Sequence, residues 1–331
     1  MSAGVPRRAA LAALAGLGLG VPLAGAGAAT PGRFPQRPVR LVVPYSVGIG
    51  PDVVARAVAE RLAPRWGQPV VVDNKPGASG IVAFADVRRT PPDGHTLYVA
   101  DTATLAVNPL LHATLPYDPA HDLEPLTLLF QATFLLWVGG ASRFDSLAAM
   151  LDAARAAPDR VSYASLGNGH ASHIAVETFA RAAGLRMLHV PFKDTGAMLA
   201  AVAASDVDFT AIGMNTVAGL FAKGRLRPLA VASRGRLPDH PRIPTLSEAG
   251  GPPVTMHPWA ALVTVRGTPP EVLARLRDDL AVALADPGVR ARVEQAGFEL
   301  TPSTPQALRD RVAADASAYA PLVAEGRVTR F

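Results

Sequence analysis

The chain has 331 residues, 49% of them hydrophobic and 18% charged, with a formal net charge of +5. That length suits two domains of ordinary size, and a chain this apolar is not intrinsically disordered. It contains no cysteine, which excludes a disulfide framework, a thiol nucleophile and a Cys-ligated metal centre, and only 6% aromatics, which argues against a stacking platform for single-stranded nucleic acid.

Residues 1–29 read as an export signal. Arg7 and Arg8 supply a basic start, Ala9 to Ala24 an apolar centre, and Ala24-Gly25-Ala26 or Ala26-Gly27-Ala28 a small-residue cleavage site. The apolar run is short and interrupted by Gly16, Gly18, Gly20 and Pro22, which disfavours a membrane anchor. The Arg7-Arg8 pair leaves general and twin-arginine export both open. Without these two arginines the chain stands near +3, and no basic block implies a nucleic-acid partner.

The mature part opens with a predicted strand at 39–44, a loop at Tyr45–Pro51, and a helix from Asp52 that Gly67 ends. A strand at 70–72, a helix over 79–89 and a strand at 95–100 follow. After the Pro-rich Leu115–Pro119 connection, residues 126–130 and 134–138 read as strand, one long strand passing between domains. Then come a helix at 147–157, a strand at 161–165, a helix at 171–183 and a strand at 187–191. A small-residue helix at 195–204, a strand at 207–211, a helix at 217–223 and a strand at 229–233 complete the alternation. Helices at 270–285 and 305–325 close the chain. Such alternation predicts α/β architecture with mainly parallel sheets flanked by helices. The expected division is lobe 1 from 36–130 plus 232–331, and lobe 2 from 131–231.

Three loops share one design, a buried strand followed by glycines and hydroxyl residues and then a helix start. They are Tyr45–Asp52, Ser165–His173 and Phe192–Ala197. Free N–H groups at a helix start and close backbone approach at glycine suit an anion. No G-x-G-x-x-G and no P-loop is present, so no nucleotide cofactor is expected. Ser165 with His170 or His173 offers a nucleophile and base, but G-x-S-x-G is absent. His173 and Glu177 lie i,i+4 without an H-E-x-x-H, so no metal site is expected. Trp259 fits a pocket wall or the core equally well, and Lys193 fits a ligand carboxylate or its neighbour Asp194.

Read together, these segments resemble the substrate-binding proteins of tripartite tricarboxylate transporters, the Bordetella-type receptors. The resemblance is carried by Pro44-Tyr45 with Gly48, Asp52, Ala55 and Arg56; by Gly67–Val72, Asn74 and Pro76-Gly77-Ala78; and by Pro92-Asp93-Gly94, Asn108-Pro109 and Leu115–Pro119. It continues through Ala164-Ser165, Gly167-Asn168-Gly169 and His173, then His189-Val190-Pro191, Pro244-Thr245, Glu248-Ala249-Gly250 and Trp259. It implies a two-lobed periplasmic-binding-protein type II fold, a periplasmic location, and a monomeric, non-enzymatic receptor that closes on a small organic carboxylate. By residue matching the implied contacts are Tyr45, Ser46, Gly48, Thr102, Ser165, Gly167, Asn168, Gly169, Thr195, Gly196 and Trp259. The implied partners are the membrane subunits of a transporter, with a membrane sensor as the alternative. An exported hydrolase using Ser165 and His170 is the competing reading.

Three departures from the family pattern bear on the ligand. Ile49 and Pro51 interrupt the glycine run of the first loop, and Pro51 removes a backbone donor. Phe192-Lys193-Asp194 replaces Tyr-Lys-Gly. Ala211-Ile212 stands where Phe-Asp is usual, which argues against an amino-acid ligand and leaves a more apolar wall.

Overall fold

Apart from Met1, the computed structural model describes residues 34–331, and the expected export signal lies outside the described residues. In chain order the elements are β1 (Val39–Val43), α1 (Gly50–Trp66), β2 (Val70–Asn74), a short turn at Ala78–Gly80, α2 (Ile81–Val87) and β3 (Thr96–Asp101). A π-type turn at Ala103–Val107 then runs into α3 (Asn108–Leu111), followed by α4 (Pro119–Asp122), β4 (Leu123–Ala132) and β5 (Phe134–Gly139). Next come α5 (Leu147–Ala156), β6 (Ser162–Ser165), α6 (Ala171–Ala182), β7 (Leu188–Pro191), α7 (Thr195–Ala204), β8 (Phe209–Gly213), α8 (Met214–Ala222) and β9 (Leu226–Val231). The chain ends with β10 (Trp259–Val265), α9 (Pro270–Leu284), α10 (Pro287–Gln295), β11 (Phe298–Leu300) and α11 (Pro305–Ala324). None of the described helices is long and apolar enough to cross a membrane.

The strands form two sheets, one in the order β11-β4-β10-β3-β1-β2 and one in the order β7-β6-β8-β5-β9. Both are mixed. In the first sheet β1, β2 and β3 run parallel, while β10 is antiparallel to β3 and β4. In the second, β6, β7 and β8 run parallel, while β5 is antiparallel to β8 and β9. The expectation of mainly parallel sheets therefore holds only for one parallel trio in each. Strands joined by crossover helices stay parallel, and strands entering from the other sheet reverse direction.

Helix α1 shows why these residues fold as they do. Pro51 occupies its first turn, where a missing N–H costs nothing, and Gly67 ends it at φ 60°. Val54, Val58 and Leu62 fall on one face and pack against Leu41 and Val43 of β1. Complete burial of each such aliphatic side chain contributes roughly 1.5–3 kcal/mol, so packing holds α1 more than helix propensity does. The second sheet has its own core around Leu136, Met150, Phe179 and Phe209, which Leu246 and Met256 of the return segment join.

The predicted long strand is broken at Thr133, and its halves serve different sheets. Two chain segments pass between the sheets side by side. Ala132 N–H donates to Pro258 O over 2.8 Å, and Phe134 N–H donates to Met256 O over 3.1 Å. A further tie is a small apolar cluster in which Val107 and Leu111 meet Ile174 of α6 and Leu322 and Val328 from the C-terminal part.

Candidate functional site

The parallel strands of both sheets end at one cleft. Its two adjoining chambers, of about 670 and 380 Å³, share Tyr45, Ile49, Leu166, His170, Thr195 and Trp259 among their linings. Loops after β1, β3, β6 and β7 thus face one space, the usual ligand position in open α/β sheets.

The first loop is fastened by Asp52, which is 1% exposed. Its carboxylate accepts from Gly48 N–H at 2.9 Å, Arg56 Nε at 3.0 Å and Asn74 Nδ2 at 2.8 Å. Burial pushes the Asp52 pKa up, but the Arg56, Gly48 and Asn74 bonds outweigh it and hold the group below the usual carboxylate range. Asn74 also donates to Tyr45 O at 3.0 Å, so loop and strand end are tied at two points.

The Tyr45 hydroxyl donates to Asp101 Oδ2. Burial, followed by the adjacent Asp101 charge, raises the Tyr45 pKa well above its ordinary value, so the phenol stays protonated. Asp101 Oδ1 accepts from Thr104 N–H at 2.8 Å and Thr104 Oγ1 at 2.7 Å. Thr102 is locked to Trp259: its hydroxyl donates to Trp259 O at 3.3 Å and accepts from Trp259 N–H at 3.0 Å. The Trp259 indole N–H donates to Asp315 Oδ2 at 2.6 Å, so the ring is held in the core of the first sheet while the residue, 2% exposed, borders both chambers.

The turn Gly77–Gly80 lines the smaller chamber, and it is strained. Ala78 and Ser79 lie at φ 45° and 49°, a region that side chains disfavour. Buried neighbours hold it there: Asn108 Nδ2 donates to Ser79 O at 3.0 Å, and Gly80 has no room for a Cβ, which would lie 2.5 Å from Thr104 Oγ1.

Of the sequence-predicted contacts, Tyr45, Thr195 and Trp259 line both chambers, Gly48 the larger, and Ser46 and Thr102 the smaller. The others stand apart. Ser165 is fully buried, with its hydroxyl 2.6 Å from His189 Nε2 and accepting from Gly167 N–H at 3.1 Å. His170 instead caps α6, its Nδ1 accepting from Ser172 N–H at 3.2 Å, so the supposed Ser165–His170 pair does not form. Asn168 binds the tail: its Nδ2 donates to Thr329 O at 2.7 Å, and its Oδ1 accepts from Thr329 N–H at 3.3 Å. Gly169, at φ 75°, donates its N–H to His173 Nδ1 at 3.1 Å. Gly167 and Gly196 line neither chamber.

Burial lowers the pKa of His173 to about 3 and that of His170 to about 4, the latter partly opposed by Asp101. Sequence reasoning missed Ile49, Leu166 and Phe298 as cleft walls. Phe298 stacks on Phe130 with ring centroids 4.2 Å apart and approaches Gly50 so closely that a Cβ there would lie 2.6 Å from its ring. Glycine at position 50 is the only readable trace of that contact.

Residues 54–326 match the sequence model of a family described as "Tripartite tricarboxylate transporter family receptor". The protein BugT of Bordetella pertussis is 30% identical, over 93% of this chain and 95% of its own. Among solved structures, Rpa4515 of R. palustris with adipate is 30% identical with a TM-score of 0.80, covering 90% of this chain and 100% of that one. MatC (Rpa3494) of Rhodopseudomonas palustris with bound malate is also 30% identical, with a TM-score of 0.75, covering 87% and 99%.

Proposed function

This chain belongs to the tripartite tricarboxylate transporter receptor family, and from that premise we propose that it is a periplasmic receptor. It binds a small organic carboxylate in the cleft between its sheets and presents it to the membrane subunits of a transporter. The observation that carries this reading is the shared cleft itself, in which strand-end loops from both sheets surround one space of ligand size. The adipate and malate held by two relatives of the same fold support a carboxylate.

In this reading the two sheets act as two lobes. Lobe 1 comprises residues 36–130 with the C-terminal part, and lobe 2 comprises 131–231 together with the return segment that packs on its core. The lobes close by bending where Ala132–Phe134 and Met256–Pro258 run side by side. Tyr45, Ser46, Gly48, Thr102, Thr195 and Trp259 contact the ligand, while Ser165, Gly167, Asn168, Gly169 and Gly196 lie behind the lining and do not touch it. We read the receptor as non-catalytic, since Ser165 is fully buried and lines neither chamber, which leaves its hydrogen bond with His189 out of a ligand's reach.

A thermal-shift screen of the purified protein against organic acids tests this proposal. A micromolar ligand at millimolar concentration should stabilise the protein by roughly 4 kcal/mol. A panel of mono-, di- and tricarboxylates that leaves the melting temperature unmoved refutes the carboxylate receptor.

A further inference from the structure

The two chambers differ in chemistry, and the difference bears on which acid fits. Val53, Phe134, Ile212 and Phe298 line only the larger one, beside the uncharged polar Asn215, Thr216 and Gln295, while Ile49 and Leu166 border both. The larger chamber's one charged lining residue, Arg292, forms a half-exposed ion pair with Glu60 at 2.5 Å. Ser46, Ser79 and Thr102 line only the smaller chamber, while Tyr45 and Thr195 border both; the Tyr45 hydroxyl is taken by Asp101 and that of Thr102 by Trp259. The smaller chamber's charged residues are Lys193, Asp101 and Asp194, so cations do not outnumber anions there. Lys193 forms no ion pair among the described residues. Asp194 caps α7 by accepting from Ala197 N–H at 2.9 Å, and Asp101 takes the Tyr45 hydroxyl and Thr104.

Resting on the receptor reading, we infer that the ligand is a monocarboxylate with an apolar, ring-sized or branched body. Its carboxylate lies in the smaller chamber beside Lys193, and its apolar body fills the larger one. A second carboxylate in the larger chamber finds a single cationic side chain, Arg292, already paired with Glu60, among mainly apolar walls, and an unpaired charge there is costly. Ile49 and Val53 are 44% and 38% exposed at the mouth of the large chamber, so apolar surface stands ready to be covered. The small chamber accommodates a head group and the large one a body, and each falls within the range of small-molecule sites.

The experiment is calorimetric titration of the purified protein with benzoate, phenylacetate and cyclohexanecarboxylate, and in parallel with malate, adipate and citrate. At least one apolar monocarboxylate should bind tenfold or more tighter than any of the three polycarboxylates. Val53→Asp should weaken that binding at least tenfold without lowering the melting temperature, because the position is exposed in the first turn of α1, where an acidic side chain is favoured. Preference for malate, adipate or citrate overturns the inference and leaves the receptor reading standing. Unchanged monocarboxylate affinity in Val53→Asp overturns the placement of the apolar body. Binding of no acid in either set overturns the receptor reading itself.

Discussion

The Ser165 hydroxyl lies 2.6 Å from Nε2 of His189, and His189 stacks on His173 with ring centroids 3.9 Å apart. The stack continues onto Tyr163, whose hydroxyl donates to Glu177 at 2.6 Å. A column of rings thus stands directly behind the loop that forms one wall of the cleft. Protonating it would remove acceptors on which that loop depends, notably His173 Nδ1 for Gly169 N–H.

Stability should therefore fall in acid well before carboxylates titrate. His173 at about 3 and His170 at about 4 lie below the unfolded value near 6.5, so the folded state favours the neutral rings. Their contribution is complete above about pH 6.5 and is lost as pH falls toward 4 and then 3. The loss amounts to at most about 1.4 kcal/mol per pH unit for each histidine. Melting temperatures measured from pH 8 to pH 4 should decline below 6.5, and His173→Gln should flatten part of that decline. A curve level to pH 4.5 refutes the argument.

Asp52 fixes the first loop through three bonds, one of them to a partly exposed arginine. Asp52→Ala should cost about 2 kcal/mol of stability, since it strands Gly48 N–H and Asn74 as well as Arg56. Ligand affinity should fall at least tenfold, because Tyr45 and Gly48 lose their anchor. Chemical denaturation and calorimetry on the same preparation separate the two effects.

Ser79 occupies a left-handed backbone position between Ala78 and Gly80. Replacing it with glycine removes the Cβ penalty at a cost in unfolded-chain entropy, and at this conformation the first effect wins. Ser79→Gly is expected to leave the protein equally stable or up to about 1 kcal/mol more stable, whereas Ser79→Val should destabilise it. Denaturant midpoints check both.

Asn168 clasps the backbone of Thr329 at both its N–H and its C=O. Asn168→Ala should therefore speed amide exchange around Thr329 and cost about 1 kcal/mol, while ligand affinity stays within about twofold. A tenfold loss of affinity would instead return Asn168 to the ligand contacts.

Local signals carried much of the fold. The helix at 195–204 matches α7 residue for residue, and Gly67 ends α1 where its αL conformation requires. What stayed hidden depends on partners distant in sequence. Trp259–Val265 is a central strand buried on both faces, and a continuous apolar run carries no alternation to distinguish it. The strand predicted at 207–211 lies two residues later, because register follows its pairing with β5 and β6. The helix at Pro287–Gln295 was signalled by Asp286 ahead of Pro287 but is weakly apolar. Asn168 reads as a loop residue near glycines, and its tie to Thr329 spans 161 positions, beyond any local pattern.

Trp259 gives the molecule its own optical gauge. The chain has three tryptophans: Trp137 is fully buried in the second sheet, Trp66 ends α1, and Trp259 alone borders both chambers. A solute filling the chambers that Trp259 borders changes the surroundings of one fluorophore of the three, while the other two supply a constant background. Emission can then report occupancy without any label, and Trp259→Phe would silence the signal.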